Sequence, residues 1–286
     1  MRRTRLFVIF CAVMTVRLHA QTSVAAVETF ADLPGGRIWY SDSGGSGTPV
    51  VLMHARTGSI LAWEHQLPAL AKAGYRVIAY DRFGHGRSEV KEALSQRGAA
   101  ADDLEALASH LRLARFHLVG TAAGGIVSFD YAVSFPQRLR SLVVANSIGG
   151  VQDEDYVALG RRLRPSPQFE ALPPEFRELG PSYRAANPEG TARWMKLEEQ
   201  SRSQDRSAVP ERMRNRITWS LLEKLEVPTL LLTGDADLYT PPAVLQLFSR
   251  RIKTSTAVIL PEVGHSAYWE QPERFNRAVL DFIRQH

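Results

Sequence analysis

Three positions, 122, 237 and 265, hold an alanine in an elbow-like frame, an aspartate and a histidine, in that order along the chain. Residues 120–124 (Gly-Thr-Ala-Ala-Gly) have the spacing of a nucleophile elbow, Gly-x-nucleophile-x-Gly, between an apolar segment and a helical one. The residue at the nucleophile position is Ala122, whose methyl group cannot attack a carbonyl carbon. Asp237 and His265 each follow an apolar segment, and a histidine paired with a carboxylate can act as a general base. The pattern therefore predicts a base and its partner at a site that lacks its usual nucleophile.

Strand-like and helical segments alternate along the chain and must position these residues. We predict strands at residues 37–41, 49–53, 75–80, 116–119, 142–145, 229–232 and 256–260, and helices at residues 61–73, 99–113, 126–135 and 272–285. This alternation predicts an α/β fold with a doubly wound, mostly parallel sheet. Sites in such folds lie outside the carboxyl ends of the strands, where the elbow, the acid and the base are expected.

Residues 150–220 interrupt the alternation. They are rich in arginine and proline, have helical character and contain no clear strand. We interpret them as a helical cap insertion between a first core part, residues 21–149, and a second core part, residues 221–286. The 286 residues are 44% apolar and 23% charged, which is the composition of a globular enzyme with a sizeable core.

Four landmarks, in order, make the chain resemble the α/β-hydrolase superfamily. Residues 54–58 (His-Ala-Arg-Thr-Gly) are similar to the family's oxyanion turn, and residues 81–88 (Asp-Arg-Phe-Gly-His-Gly-Arg-Ser) are similar to a common family loop. The elbow and the acid–base pair near the C-terminus complete the set. The resemblance extends over almost all of the chain after residue 20, and it implies an α/β-hydrolase sheet with a helical cap.

The resemblance assigns the acid and the base. The family's acid lies three residues after the glycine that ends a strand, here Gly234, which selects Asp237. Asp235 is expected to shape the turn by accepting backbone amides. His265, in the loop after the last strand, is the implied base, and His54 is the implied structural histidine of the oxyanion turn.

The resemblance also implies an oxyanion hole made by the main-chain N–H groups of Arg56 and Ala123. Two residues depart from the commonest family pattern: Ala55 stands where glycine is usual, and Thr121 where histidine is usual. Because the implied donors are main-chain amides, these side chains need not abolish the oxyanion hole, although Ala55 could alter the turn.

The methyl group of Ala122 leaves three interpretations open. The first, which we favour, is a native enzyme that uses His265 and Asp237 as a general-base dyad on water or on an acidic substrate proton. The second is an esterase-like or lactonase-like serine hydrolase whose nucleophile was replaced by alanine, and the third is a non-catalytic ligand-binding homologue. The departures at Ala55 and Thr121 favour the first over the second, and the retained acid and base count against the third.

No other group is expected to replace the missing nucleophile. The hydroxyls of Ser59, Thr121 and Ser266 lie near the motif loops, but none has the strained presentation of an elbow residue. The sequence contains no cluster with metal-ligand spacing and no glycine-rich phosphate loop. We therefore predict a small-molecule substrate and neither a metal nor a cofactor.

The substrate-binding residues are the least specified part of the site. Arg56 or an arginine of the insertion could pair with a substrate carboxylate. For the arginines of the insertion we prefer the simpler interpretation, a solvated helical surface. Trp63 and Tyr239 flank the motif loops and could either line an apolar pocket or pack in the core.

Residues 1–20 have the organisation of a secretory signal peptide. Three arginines precede an apolar stretch at residues 6–16, which is too short to span a bilayer, and residues 18–20 (Leu-His-Ala) form a passable cleavage site. Removing this segment removes the only cysteine and four arginines, so the formal charge falls from +5 to +1 and does not indicate nucleic-acid binding. We predict an exported protein, periplasmic or secreted, with no stable membrane span after cleavage.

Overall fold

The computed structural model describes residues 26–91, 98–164, 167–201 and 212–286, which form a nine-stranded sheet with flanking helices. The predicted signal peptide lies outside the described residues. The strands are β1 (Val27–Leu33), β2 (Gly36–Asp42), β3 (Pro49–Met53), β4 (Arg76–Tyr80), β5 (Glu89–Val90), β6 (Phe116–Thr121), β7 (Leu139–Ala145), β8 (Thr229–Gly234) and β9 (Ser255–Leu260). The helices are α1 (Gln66–Lys72), α2 (Ala100–His110), α3 (Ala123–Ser134), α4 (Glu154–Leu163), α5 (Pro174–Glu178), α6 (Pro181–Ala186), α7 (Pro188–Ser201), α8 (Trp219–Leu222), α9 (Pro242–Arg251), α10 (Ala267–Glu270) and α11 (Pro272–Ile283).

The sheet is mostly parallel, which confirms the predicted fold class. Its strand order is β1-β2-β4-β3-β6-β7-β8-β9, with β5 paired to β2. The pairs that β2 forms with β1, β4 and β5 are antiparallel. The neighbouring strands along the rest of the order, β4-β3-β6-β7-β8-β9, are all parallel. The order reverses at β3, which lies between β4 and β6. Ligands of such sheets bind where the order reverses, so the carboxyl ends of β3 and β6 are the expected position of a site.

Apolar side chains cover both faces of the sheet. In β3, Val51 and Met53 belong to one core cluster and Val50 and Leu52 to the other, and all four are essentially inaccessible to solvent. Successive side chains of a strand point to opposite faces, so a sheet that is buried on both sides requires a continuous apolar run. This is the physical reason that the central strands were predictable as short apolar segments.

The structure differs from the predicted elements near the first helix and at one edge of the sheet. The predicted helix at residues 61–73 consists of a 3₁₀ turn (Ile60–Trp63), which is capped by the Ser59 side chain, and of the separate helix α1. β1 and β5 lie outside the predicted strands. β1 is an edge strand that is half exposed, so it lacks the continuous apolar run of the central strands.

Between β7 and β8 the described residues form helices α4 to α8 and no strand. This segment contacts the loops that follow β8 and β9: Arg164 donates to the Tyr239 carbonyl, and the Gly180 amide donates to Glu270. The placement agrees with a cap over the strand ends, while the boundaries at residues 150 and 220 stay predictions. No helix in the described ranges is long and apolar enough to cross a bilayer.

Candidate active site

The turn between β6 and α3 has the strained backbone of an elbow. Ala122 has φ 50° and ψ −116°, a conformation that residues with a Cβ rarely adopt. Steric contacts explain why both flanking residues are glycines. A Cβ at Gly120 would lie 2.2 Å from the Ser128 hydroxyl, and a Cβ at Gly124 would lie 2.4 Å from the Met53 carbonyl oxygen. The Gly-x-x-x-Gly spacing of the sequence is therefore required by close packing. Ala122 is itself partly exposed to solvent.

The close approach at Gly124 places the start of α3 against the turn that follows β3. His54 begins that turn and is fully buried, and its Nε2 accepts the Arg82 amide at 2.9 Å. Burial holds the pKa of His54 well below its ordinary value, which keeps the ring neutral and able to accept this bond. His54 thus has the structural role that the resemblance implied.

The two main-chain amides expected to form the oxyanion hole belong to these contacting segments. Neither the Arg56 N–H nor the Ala123 N–H donates a hydrogen bond to another described residue. Non-glycine residues with left-handed φ in the described ranges are Arg112, Ala122, Asn146 and Glu262. Ala55 is not among them, so the turn does not need the glycine that is usual there.

His265 and Asp237 are brought into direct contact. His265 Nδ1 lies 2.9 Å and 3.0 Å from the two carboxylate oxygens of Asp237. The side chain of Asp237 is fully buried and that of His265 is 7% exposed. A neutral His265 that donates from Nδ1 to this carboxylate carries its lone pair on Nε2, so Nε2 is the nitrogen that can take a proton.

Burial and charge act in opposite directions on this pair. Burial alone would lower the pKa of His265, but the charge and hydrogen bond of Asp237 outweigh it and hold that pKa above its ordinary value. Burial alone would raise the pKa of Asp237, but His265 and the donors around the carboxylate hold it below its ordinary value. Asp237 is therefore a stable carboxylate that strengthens the basicity of its partner.

Further donors hold the Asp237 carboxylate in one orientation. The amides of Tyr239 and Thr240 donate at 2.8 Å and 2.9 Å, Asn146 Nδ2 donates at 3.0 Å, and Thr233 Oγ1 donates at 3.1 Å. Asp235, the sequence alternative, is turned away and accepts the Glu262 amide at 2.7 Å. Asp235 thus accepts a backbone amide, as expected, but from the loop after β9 and not from its own turn.

The end of β7 connects the elbow to the acid. The Ala122 amide donates to the Ala145 carbonyl at 2.9 Å, and the Ser147 hydroxyl donates to the Ala122 carbonyl at 2.6 Å. Between them, Asn146 donates to Asp237. Asn146 was missed in the sequence; the available signal was a residue type that tolerates left-handed φ directly after a buried strand.

Glu270, also missed, ties the loop of His265 to the cap. Its buried carboxylate accepts the amides of Gly264 at 2.9 Å, Ser266 at 3.2 Å and Gly180 at 2.8 Å. Burial outweighs these three donors and raises the pKa of Glu270 to about 7. The Glu270 carboxylate thus binds the residue before His265, the residue after it and Gly180 of the cap.

A cavity of about 560 Å³ opens beside the dyad. Its wall is formed by Arg56, Arg164, Phe169, Glu170, Arg177 and Tyr239. The Tyr239 ring lies against His265, with the ring centroids 4.2 Å apart. On its far side the Tyr239 hydroxyl donates to Glu178 at 3.3 Å, and burial raises the pKa of that carboxyl. Tyr239 and the Arg56 side chain therefore lie on the cavity wall, but charged side chains dominate this wall, and it is not the apolar pocket suggested for Tyr239.

Trp63 and the alternative hydroxyls are placed elsewhere. Trp63 is fully buried with its ring 5.1 Å from that of Tyr268, so it packs in the core and is not on the cavity wall. The Ser59 hydroxyl is buried and bonded to that of Ser201 at 2.8 Å. Thr121 and Ser266 are also buried. None of these hydroxyls occupies the position of Ala122.

The sequence profile described as the alpha/beta hydrolase family matches residues 50–278. This chain belongs to that family. It is 32% identical over 270 residues to the dihydrolipoyllysine-residue acetyltransferase component of the acetoin cleaving system of Pseudomonas putida, which covers 88% of this chain and 68% of that protein. It is also 25% identical over 287 residues to the 2-hydroxy-6-oxo-6-phenylhexa-2,4-dienoate hydrolase of Comamonas testosteroni. That alignment covers 95% of this chain and 100% of that protein.

A solved structure of similar fold is the malate-bound thermophilic esterase of Thermogutta terrifontis. It aligns with a TM-score of 0.71 and 26% identity over 91% of this chain and 99% of that one. Hydrolases and esterases among the relatives support an enzyme of the α/β-hydrolase type.

Proposed function

We propose that this chain is an exported enzyme that acts on a small carbonyl or ester-like molecule without a serine nucleophile. In this proposal His265 and Asp237 form a general-base dyad, and the Arg56 and Ala123 amides stabilise the oxyanion. The observation that carries the proposal is the buried contact of His265 with Asp237 at 2.9 Å beside an elbow that presents only a methyl group. A dyad needs a base, a partner for that base and a space for water or substrate. His265, Asp237 and the cavity lined by Tyr239 are the features that support the proposal.

Hydrolysis by the dyad would proceed in two steps. His265 Nε2 takes a proton from water, the water oxygen bonds to the substrate carbonyl carbon, and the carbonyl oxygen becomes an oxyanion facing the two amides. The oxyanion then re-forms the carbonyl, the bond to the leaving group breaks, and His265 returns the proton to that group. For a β-diketone the same base could instead remove the acidic carbon-bound proton and leave an enolate at the same amides.

The second candidate is a serine hydrolase that lost its nucleophile. The strained backbone at Ala122 favours it, because the position keeps the conformation that presents a side chain to a substrate. A serine there would need no new backbone geometry. The third candidate, a ligand-binding homologue, does not explain why His265 and Asp237 are hydrogen-bonded to each other.

A paired activity screen separates the three candidates. The native chain, Ala122→Ser and His265→Ala are each assayed on esters, lactones and β-diketones. The dyad enzyme predicts turnover by the native chain that falls about 10²–10⁴-fold in His265→Ala. Native turnover that is unchanged in His265→Ala would refute the dyad. Ester turnover by Ala122→Ser alone would establish the second candidate, and ligand binding without turnover by any form would favour the third.

A further inference from the structure

The cavity beside the dyad is strongly cationic. Of its six wall residues, three are arginines, one is acidic and two are aromatic. The arginines come from separate parts of the chain: Arg56 from the turn after β3, Arg164 from the end of α4 and Arg177 from α5. Like charges repel, so three guanidinium groups around one space favour the binding of an anion between them.

The arginines retain hydrogen-bond donors for a ligand. The Arg56 side chain makes no hydrogen bond or ion pair with another described residue. Arg177 has a buried Nε with no partner among the described atoms. Arg164 is held in place by a 2.7 Å bond from Nη1 to the Tyr239 carbonyl, and a guanidinium has four further donors. A buried donor without a partner is costly, and an anionic oxygen on the ligand would satisfy it.

Two residues of the cavity wall, Arg56 and Tyr239, connect the positively charged cavity to the proposed reaction site. Arg56 belongs to the turn that supplies one of the two oxyanion amides, and Tyr239 packs against His265. Tyr239 and the turn of Arg56 therefore connect the cavity to the dyad, and neither His265 nor Ala122 is itself on the cavity wall. We propose that the substrate carries a carboxylate, which Arg56, Arg164 and Arg177 bind while its reactive carbonyl faces His265. This inference rests on the proposed function for the site but concerns a separate part of it.

A carboxylate fits this wall better than a phosphate does. A guanidinium and a carboxylate are both planar and form two parallel hydrogen bonds. Glu170 on the wall places negative charge beside the arginines. A phosphate dianion would be attracted by the three arginines but repelled by Glu170 more strongly than a carboxylate of single charge. The cavity volume of about 560 Å³ is within the range of small-molecule sites.

Equilibrium binding tests the proposal without turnover. Isothermal titration calorimetry would compare glutarate, its uncharged diamide and inorganic phosphate on the purified protein, on Arg56→Gln, on Arg177→Gln and on Arg177→Lys. Arg161→Gln is the matched control, because Arg161 is exposed on the cap helix α4 and does not line the cavity. We expect glutarate to bind more tightly than the other two ligands. Each glutamine variant should weaken it about tenfold or more, with a smaller loss in Arg177→Lys and none in Arg161→Gln.

The opposite results would overturn the proposal. They are equal binding of glutarate and the diamide, binding of phosphate as tight as that of glutarate, or equal losses in Arg161→Gln and Arg177→Gln. Repeating the titration on His265→Ala separates this proposal from the dyad. Glutarate binding that persists there supports the carboxylate site whatever the activity screen reports, and the screen alone decides the dyad.

Discussion

At the scale of single residues, an alanine occupies a turn that has the backbone geometry of a nucleophile elbow. Ala122 retains the left-handed φ of an elbow, which a methyl-bearing residue adopts only at a cost in free energy. The His265–Asp237 contact and the donors around the carboxylate are likewise retained. The site therefore combines the backbone of an elbow and a paired histidine and carboxylate with a methyl group at position 122.

The strain at position 122 predicts that Ala122→Gly is stabilising. Glycine removes a strain of about 1–3 kcal/mol and adds an entropic cost of about 0.5–1 kcal/mol, so the free energy of unfolding should rise by about 1 kcal/mol. Urea denaturation measures this change. Ala106→Gly, within the ordinary helix α2, should instead lower it by about 1 kcal/mol. Equal losses in both variants would contradict the strained backbone.

The raised pKa of His265 predicts the pH dependence of any dyad activity. The base must be neutral, so turnover should be present above that pKa and lost as the pH falls through it. Asp237 is the main group that raises the pKa, so Asp237→Asn should move the transition to lower pH and reduce the maximal rate. The pH dependence of kcat/KM measures both effects. A transition that stays in place in Asp237→Asn would show that another group controls it.

At the scale of elements, contacts between the ends of neighbouring strands and the segments that follow them build the site. The turn after β3 contacts the start of α3 at Gly124, and the loop after β7 binds the loop after β8 through Asn146. The loop after β9 is connected to the cap by Glu270. Each contact joins residues distant in sequence, so each should be sensitive to one well-chosen substitution.

Gly124→Ala should disrupt the elbow. The new Cβ would lie 2.4 Å from the Met53 carbonyl and 2.6 Å from the His54 carbonyl, and main-chain atoms at strand ends cannot rotate away. We expect the free energy of unfolding to fall by about 2–3 kcal/mol. Gly98→Ala is the matched control, since the nearest atoms to its Cβ are at 3.9 Å and 4.0 Å. Similar thermal unfolding of the two variants would argue against the close approach.

Glu270 predicts a stability that depends on pH. Its pKa is about 7 in the folded chain and 4.5 in an unfolded one. Between these values the folded chain holds a proton that the unfolded chain has released, so the free energy of unfolding falls as the pH rises, by about 3 kcal/mol at most. Glu270→Gln should remove this slope in denaturation measured from pH 4 to pH 8. Glu273→Gln, exposed on α11, should preserve it.

At the scale of the whole molecule, the strand order and the cap determine what reaches the site. The reversal of strand order at β3 brings the turn containing Arg56 next to the elbow after β6. The cap segment contributes Arg164 and Arg177 to the cavity wall. In the proposed function, the core supplies the dyad and the cap supplies two of the three arginines that bind the substrate.

Export is the prediction that concerns the chain as a whole. When the full chain is expressed in a bacterial host, cleavage before Gln21 should leave a mature protein that starts at that residue, and the protein should be found outside the cytoplasm. Mass spectrometry of the N-terminus and cell fractionation measure this. A variant that lacks residues 2–20 should stay in the cytoplasm. Recovery of the uncleaved full chain in the cytoplasm would contradict the proposed localisation.

Much of this fold and some of this site could be read from local sequence. A strand buried on both faces is a continuous apolar run, so β3, β4, β6, β7 and β8 were visible, whereas the half-exposed edge strand β1 was not. Asp237 and His265 were visible because each follows a strand in a recognisable loop. Asn146, Glu178 and Glu270 were not, because their importance comes from partners that are distant in sequence.

By itself, the sequence determined that an elbow without a hydroxyl precedes an acid and a base, since these features are short-range patterns of residue type and spacing. Only the tertiary structure decided that Trp63 packs in the core, that Tyr239 lies against His265, and that three arginines surround one cavity. The physical reason is that exposure and charge proximity depend on which segments pack together. Residues 56, 164 and 177 share a wall only after the sheet and the cap have folded.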